Sequence, residues 1–133
     1  MDRLLHHDRT LDELEGAWPD PPDNTTALVK TVHALRRKKL GTLTVEDLQR
    51  LVSQSVSLPF LLPLAMEVLR DNPLAEGRYY AGDLLSAVLG CPPSAWALFP
   101  DLAEELEGIA SQLHDMERYL AADIDRFLAT RAT

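Results

Sequence analysis

The residues of this chain able to do acid–base, nucleophilic or metal chemistry are four histidines, one cysteine and 21 carboxylates, and their spacing narrows what they can do. His6 and His7 adjoin Asp8, a trio with ligand chemistry, but in a polar terminal segment it reads as a solvated tail. His33 and His114 each stand alone on a predicted helix, and no two histidines have the i, i+4 spacing that puts two metal ligands on one face. Cys91 precedes Pro92-Pro93 and reads as an inert core or loop residue rather than an activated nucleophile. Glu104, Glu105 and Glu107 form a solvated helix start, where acids also suit the macrodipole. No G-x-S-x-G, Walker A or G-x-G-x-x-G is present. The expectation is a protein that is not an enzyme and takes no cofactor or metal.

Recognition is the other chemistry open to the chain. Between Leu74 and Asp83 lie Glu76, Arg78, Tyr79, Tyr80 and Asp83, where two aromatics with polar tips flank the start of a helix. Such residues are enriched as interface anchors, which makes these five the candidate protein-binding surface. The competing structural role is equally concrete: Asp83 caps its helix, and the tyrosines pack under the loop.

The elements that must hold this loop are helical. Thr10 and Glu13 make a capping box for a short helix that Gly16 ends. Three prolines keep Trp18 to Asn24 extended, with Trp18 as its apolar anchor. Thr25 or Thr26 caps a helix to about Lys38, whose final Arg36, Arg37, Lys38 and Lys39 complement the macrodipole as exposed cations. Thr44 with Asp47 opens a helix over 45 to 55 with Val45, Leu48, Leu51 and Val52 as its buried stripe. The segment after Ser57 is apolar nearly all round and must be central, and Asn72-Pro73 ends it. Pro63 costs no hydrogen bond there if the helix begins within four residues of it. Leu84, Leu85, Val88 and Leu89 mark a shorter helix closed by Gly90, and Ser94 can cap one turn around Trp96.

From Asp101 the apolar residues Leu102, Leu106, Ile109, Leu113, Met116, Leu120, Ile124 and Phe127 recur by four and three. That spacing predicts one helix of roughly 28 residues, about 40 Å long. No stretch alternates with period two, so the fold class is all-α. A single compact domain of about six helices over residues 10 to 128 is expected, with a long C-terminal helix, a flexible segment at 1–9 and a loose end at 129–133.

Thirteen Lys and Arg against 21 Asp and Glu give a formal net charge of −8. The excess is uneven, with 8 basic and 9 acidic residues in 1 to 66 and 5 and 12 in 67 to 133. Nucleic acid is a poor partner for such a surface; a basic protein would be drawn to it, but the same charge also serves solubility alone and does not by itself name a partner. The longest apolar run, Leu58 to Met66, is far short of the roughly 20 residues that span a bilayer, so no membrane partner is expected. No signal peptide is read in the polar opening, and one unpaired cysteine suits a reducing cytoplasm.

Residues 43 to 85 run L-T-V-E-D-L, then L-P-L-A-x-E, then N-P-L-x-E-G-x-x-Y-x-G-D-L-L, preceded by Leu11-Asp12-Glu13-Leu14-Glu15-Gly16 and Trp18-Pro19. This pattern resembles the immunity proteins of bacterial contact-dependent growth inhibition systems, over roughly residues 11 to 106. It departs from the family pattern at Arg78, where an acidic residue is expected, and at Ala81, where proline is. The resemblance implies a cytoplasmic toxin inhibitor that binds the toxin domain of a contact-delivered effector stoichiometrically. An acidic face would meet a basic, nuclease-like toxin, with Glu76, Arg78, Tyr79, Tyr80 and Asp83 as the candidate contact. The alternative from another class is a helical regulatory or structural module, a homodimer paired through its C-terminal helix.

Overall fold

The computed structural model describes residues 5–114 and 117–131. Among them are eight α-helices: α1 (Leu11–Glu15), α2 (Ala27–Leu35), α3 (Val45–Ser53), α4 (Leu58–Asp71), α5 (Asp83–Leu89), α6 (Pro93–Trp96), α7 (Pro100–Leu113) and α8 (Ala121–Arg131). Two 3₁₀ turns, Leu40–Thr42 and Arg118–Leu120, complete the regular structure, and the sole β feature in the described residues is an isolated bridge. The fold is all-α. None of these helices is long and apolar enough to cross a membrane.

Local chemistry sets the helix starts. The Glu13 amide donates to the Thr10 hydroxyl at 3.1 Å while the Thr10 amide donates to the Glu13 carboxylate at 3.1 Å, which closes the capping box of α1. Thr44 and Asp47 repeat the arrangement at α3. Thr26 caps α2 by accepting from the Val29 amide at 3.2 Å. Each satisfies N-terminal amides that have no partner within the helix.

α4 is the central element. Leu58, Leu61, Leu62, Leu64, Ala65, Met66 and Leu69 are all buried, so its apolar surface runs around most of the cylinder. Pro63 is its sixth residue, beyond the first turn, so the helix goes without one internal hydrogen bond at that point. α3 packs on α4 and α5, α5 on α8, and α4 on α7. One apolar cluster extends from Leu11 to Phe127 and includes the Trp96 ring, set edge-on to Phe127 at 5.9 Å.

Two expectations change. The apolar period from Asp101 does not make one continuous helix. α7, the long helix of the C-terminal region at 14 residues, stops at Leu113, and Glu117 has a non-helical backbone before the 3₁₀ turn and α8. Met116, expected on the same stripe, lies outside the described residues. A straight helix of 28 residues would reach roughly 40 Å and carry its far end off the core. Folding back instead buries Leu120, Ile124 and Phe127, and the pairs Arg131–Glu107 at 2.7 Å and His114–Asp125 at 2.8 Å span the two helices. The stripe that would have paired two copies is thus taken up inside one chain, with Ile109 alone of its described members only half-buried.

The second change concerns Arg36, expected among exposed cations and found 1% exposed. Helix α2 ends at Leu35, and Arg36 turns inward. Its guanidinium donates to Asp12 at 3.0 Å, Glu15 at 2.8 Å, the Ser57 hydroxyl at 3.0 Å and the Gly16 carbonyl at 3.2 Å. The Trp18 ring covers it at 4.0 Å. One cation therefore ties α1 and the proline-rich segment to α2 and to the entry of α4. Ahead of α1, residues 5–9 lie along the Leu40–Thr42 turn, where the Leu40 amide donates to the Arg9 carbonyl and the Gly41 amide to that of His7. The end of α8 includes 129–131, while 1–4 and 132–133 lie outside the described residues.

Candidate functional site

The loop between α4 and α5 is closed by its own backbone. Asn72 ends α4, and its side chain accepts from the Leu74 amide at 3.2 Å. The Gly82 amide then donates to the Leu74 carbonyl at 3.1 Å, and Glu76 and Ala81 form an antiparallel bridge, leaving Gly77 to Tyr80 as the tip. Gly82 has φ +93, a left-handed turn suited to glycine, and it points the chain into α5.

Asp83 sits in the throat of this loop and is 2% exposed. Its carboxylate does not cap α5 but turns back, accepting from the Gly77 amide at 2.6 Å and the Tyr79 amide at 2.9 Å. The Asp83 amide donates to the Tyr80 carbonyl at 3.0 Å. A Cβ on residue 77 would lie 3.1 Å from both carboxylate oxygens, so glycine there lets the backbone approach the acid. Of the five residues singled out in the sequence, Asp83 is thus internal to the scaffold, while Glu76, Arg78, Tyr79 and Tyr80 are exposed around it.

The chain has three tyrosines, and the fold brings them together. Tyr79 and Tyr80 are 67% and 42% exposed, and Tyr119, from the 3₁₀ turn before α8, is 55% exposed. The Tyr80 and Tyr119 rings meet edge to face at 5.9 Å, and the Tyr119 hydroxyl donates to the Ala81 carbonyl. Desolvation of that hydroxyl, with the negative fields of the Glu117 and Glu76 carboxylates and the neighbouring Tyr80 phenol beyond it, raises the Tyr119 phenol above its ordinary value. Sequence reasoning missed Tyr119 because the period places it within an uninterrupted helix, with nothing to tie it to a loop 38 residues away.

On the other side of Tyr79 the surface is concave. A groove of about 320 Å³ runs between α2 and α3 and is closed by the loop, with Leu28 and Thr31 on one wall, Arg50 and Ser53 on the other, and Arg78 and Tyr79 at its end. The residues that carried metal or acid–base chemistry in the sequence are dispersed. His7 pairs with Glu67 at 3.1 Å, His33 packs edge-on to Trp18 at 5.1 Å, and His114 faces Asp125. Cys91 is buried just past the end of α5, its thiol donating to the Ala87 carbonyl at 3.5 Å.

What this arrangement offers is recognition: an aromatic ridge with satisfied or solvent-facing hydroxyls, held at fixed height by a braced backbone, beside a polar groove. The family model described as CDI immunity proteins matches residues 12–106, which include the whole of the loop, the groove and helices α2 to α6. No curated protein matches the chain.

Proposed function

The chain belongs to the CDI immunity proteins, a family that neutralises cognate toxins, and on that premise we propose that it binds the toxin domain of a contact-delivered effector and blocks it stoichiometrically, in the cytoplasm and without chemistry of its own. The observation that carries the proposal is the family match over most of the chain. The contact surface in this proposal is the exposed part of the braced loop, Glu76, Arg78, Tyr79 and Tyr80, with Asp83 as the residue that positions it. Support comes from the exposure of the two tyrosines beside carboxylates and from the fixed backbone beneath them. Rigid anchors lose little entropy on binding.

The acidic excess of the chain favours a basic toxin domain, such as a nuclease, because opposite fields raise the rate of encounter. The test is rescue. The C-terminal toxin domain of the effector encoded beside this gene is induced in a susceptible bacterium with and without this protein. Growth restored only by co-expression is the expected result. Continued killing, with both proteins soluble and no complex by calorimetry, would reject that pairing.

A further inference from the structure

In a chain with 21 acidic and 13 basic residues, the groove beside Tyr79 has no Asp or Glu in its lining and two arginines, Arg50 and Arg78. Among the described residues Arg78 makes no ion pair; its guanidinium lies only 5.9 Å from the Tyr79 ring centroid. Arg50 meets Glu46, one turn away on α3, at 3.7 Å, which is beyond hydrogen-bond distance. Two guanidinium groups thus face a concave surface with donors to spare, next to the apolar wall of Leu28, which is 42% exposed. Guanidinium forks match carboxylates in shape and charge.

Taking the immunity function above as given, we infer that this groove receives an acidic segment of the toxin domain, with an Asp or Glu carboxylate held by Arg50 and Arg78 and its neighbouring side chain against Leu28 and Tyr79. The charge pattern fixes the direction of docking. On one side of the loop the groove is the place where the local charge inverts, and on the other the Glu117 and Glu76 carboxylates add negative field at Tyr119 and disfavour a carboxylate. A partner that presents an acid to the groove and a base to the ridge fits in one orientation, while the overall negative field governs only the encounter.

The experiment is calorimetric titration of the full chain, and of Arg50→Ala, Arg78→Ala, Arg78→Glu and Lys39→Ala, with the toxin domain of the adjacent effector. Lys39 is exposed and outside the groove, so its variant removes the same charge without touching the seat. Each groove alanine should weaken binding about tenfold, Arg78→Glu about a hundredfold, and Lys39→Ala by no more than about twofold. The Arg78 and Lys39 variants should keep the wild-type melting temperature because both residues are exposed, while Arg50→Ala, whose side chain is 21% exposed, should lower it by no more than a few degrees. Wild-type affinity in every arginine variant overturns the groove and leaves the immunity function standing. So does an equal loss in Lys39→Ala, which marks a diffuse field. Absence of binding by the wild type, with no rescue of growth, rejects the pairing with that toxin and the groove proposal with it.

Discussion

Asp83 and Gly77 are a matched pair: the acid accepts from the glycine amide at 2.6 Å, and the space that a Cβ on residue 77 would need is held by the two oxygens of that acid. Removing the carboxylate by Asp83→Ala leaves the Gly77 and Tyr79 amides without their acceptor in a buried throat, at a cost on the order of 2 kcal/mol. Gly77→Ala reaches the same loop from the other side, because Asp83 is too enclosed to give way and the Gln49 Cβ stands 3.3 Å off, and costs about 1–2 kcal/mol. Thermal unfolding should show both losses, and in both variants the backbone amide of Tyr79 should exchange faster than in the wild type. Unchanged protection at Tyr79 in Asp83→Ala would remove the brace from this account.

Arg36→Ala should cost about 3 kcal/mol, since it strips the cation from Asp12 and Glu15, whose side chains are 14% and 30% exposed. Urea titration measures it. Arg36→Lys should recover only a fraction, because an ammonium cannot reach four acceptors and stack on Trp18 at once. A double-mutant cycle with Asp12→Asn should give a coupling of at least about 0.5 kcal/mol. Additive effects would mean the pair does not communicate.

The bidentate pair of Arg70 and Glu105, at 2.8 and 2.7 Å, joins α4 to α7. Its hydrogen bonds to Arg70 hold the Glu105 carboxyl below the ordinary value of 4.5. A folded-state pKa below the unfolded one gives stability that is present above about pH 4.5 and lost as pH falls through the lowered value. The Arg70 side chain is 53% exposed, so screening keeps the contribution under about 1 kcal/mol. The stability difference between wild type and Glu105→Gln should therefore be small at pH 7, shrink with added salt, and close below pH 4.5. A difference that grows on acidification would contradict this assignment.

Burial pushes the Cys91 thiol up to about 11. In the native protein the residue is 8% exposed and should react with a disulfide reagent at pH 8 only at the rate of unfolding. Addition of denaturant should release one thiol at once. Rapid labelling without denaturant would show that the end of α5 opens locally.

What could be read from the sequence was mostly what is local. The capping boxes at Thr10 and Thr44 join residues three apart, so composition and order are enough to place them. The apolar girth of α4 follows from its residues in the same way. Arg36 was not legible, because four successive cations look alike until partners 21 and 24 residues away select the one that turns inward. The turn between α7 and α8 was hidden for a different reason. Spacing by three and four tells which face is apolar, and two helices folded on each other can keep that face as well as one straight helix does. In the loop, exposed residues and the buried Asp83 carry one motif, and only the direction of the carboxylate separates them.

Because the acid in the loop's throat grips amide hydrogens, it is indifferent to which side chains project from the rim. Arg78 and Tyr79 can change their side chains while the turn keeps its shape, because Asp83 holds this stretch through the Gly77 and Tyr79 amides. On the contact surface proposed above, the tip would act as an interchangeable cassette on a fixed mount, open to altered recognition without first restabilising the fold.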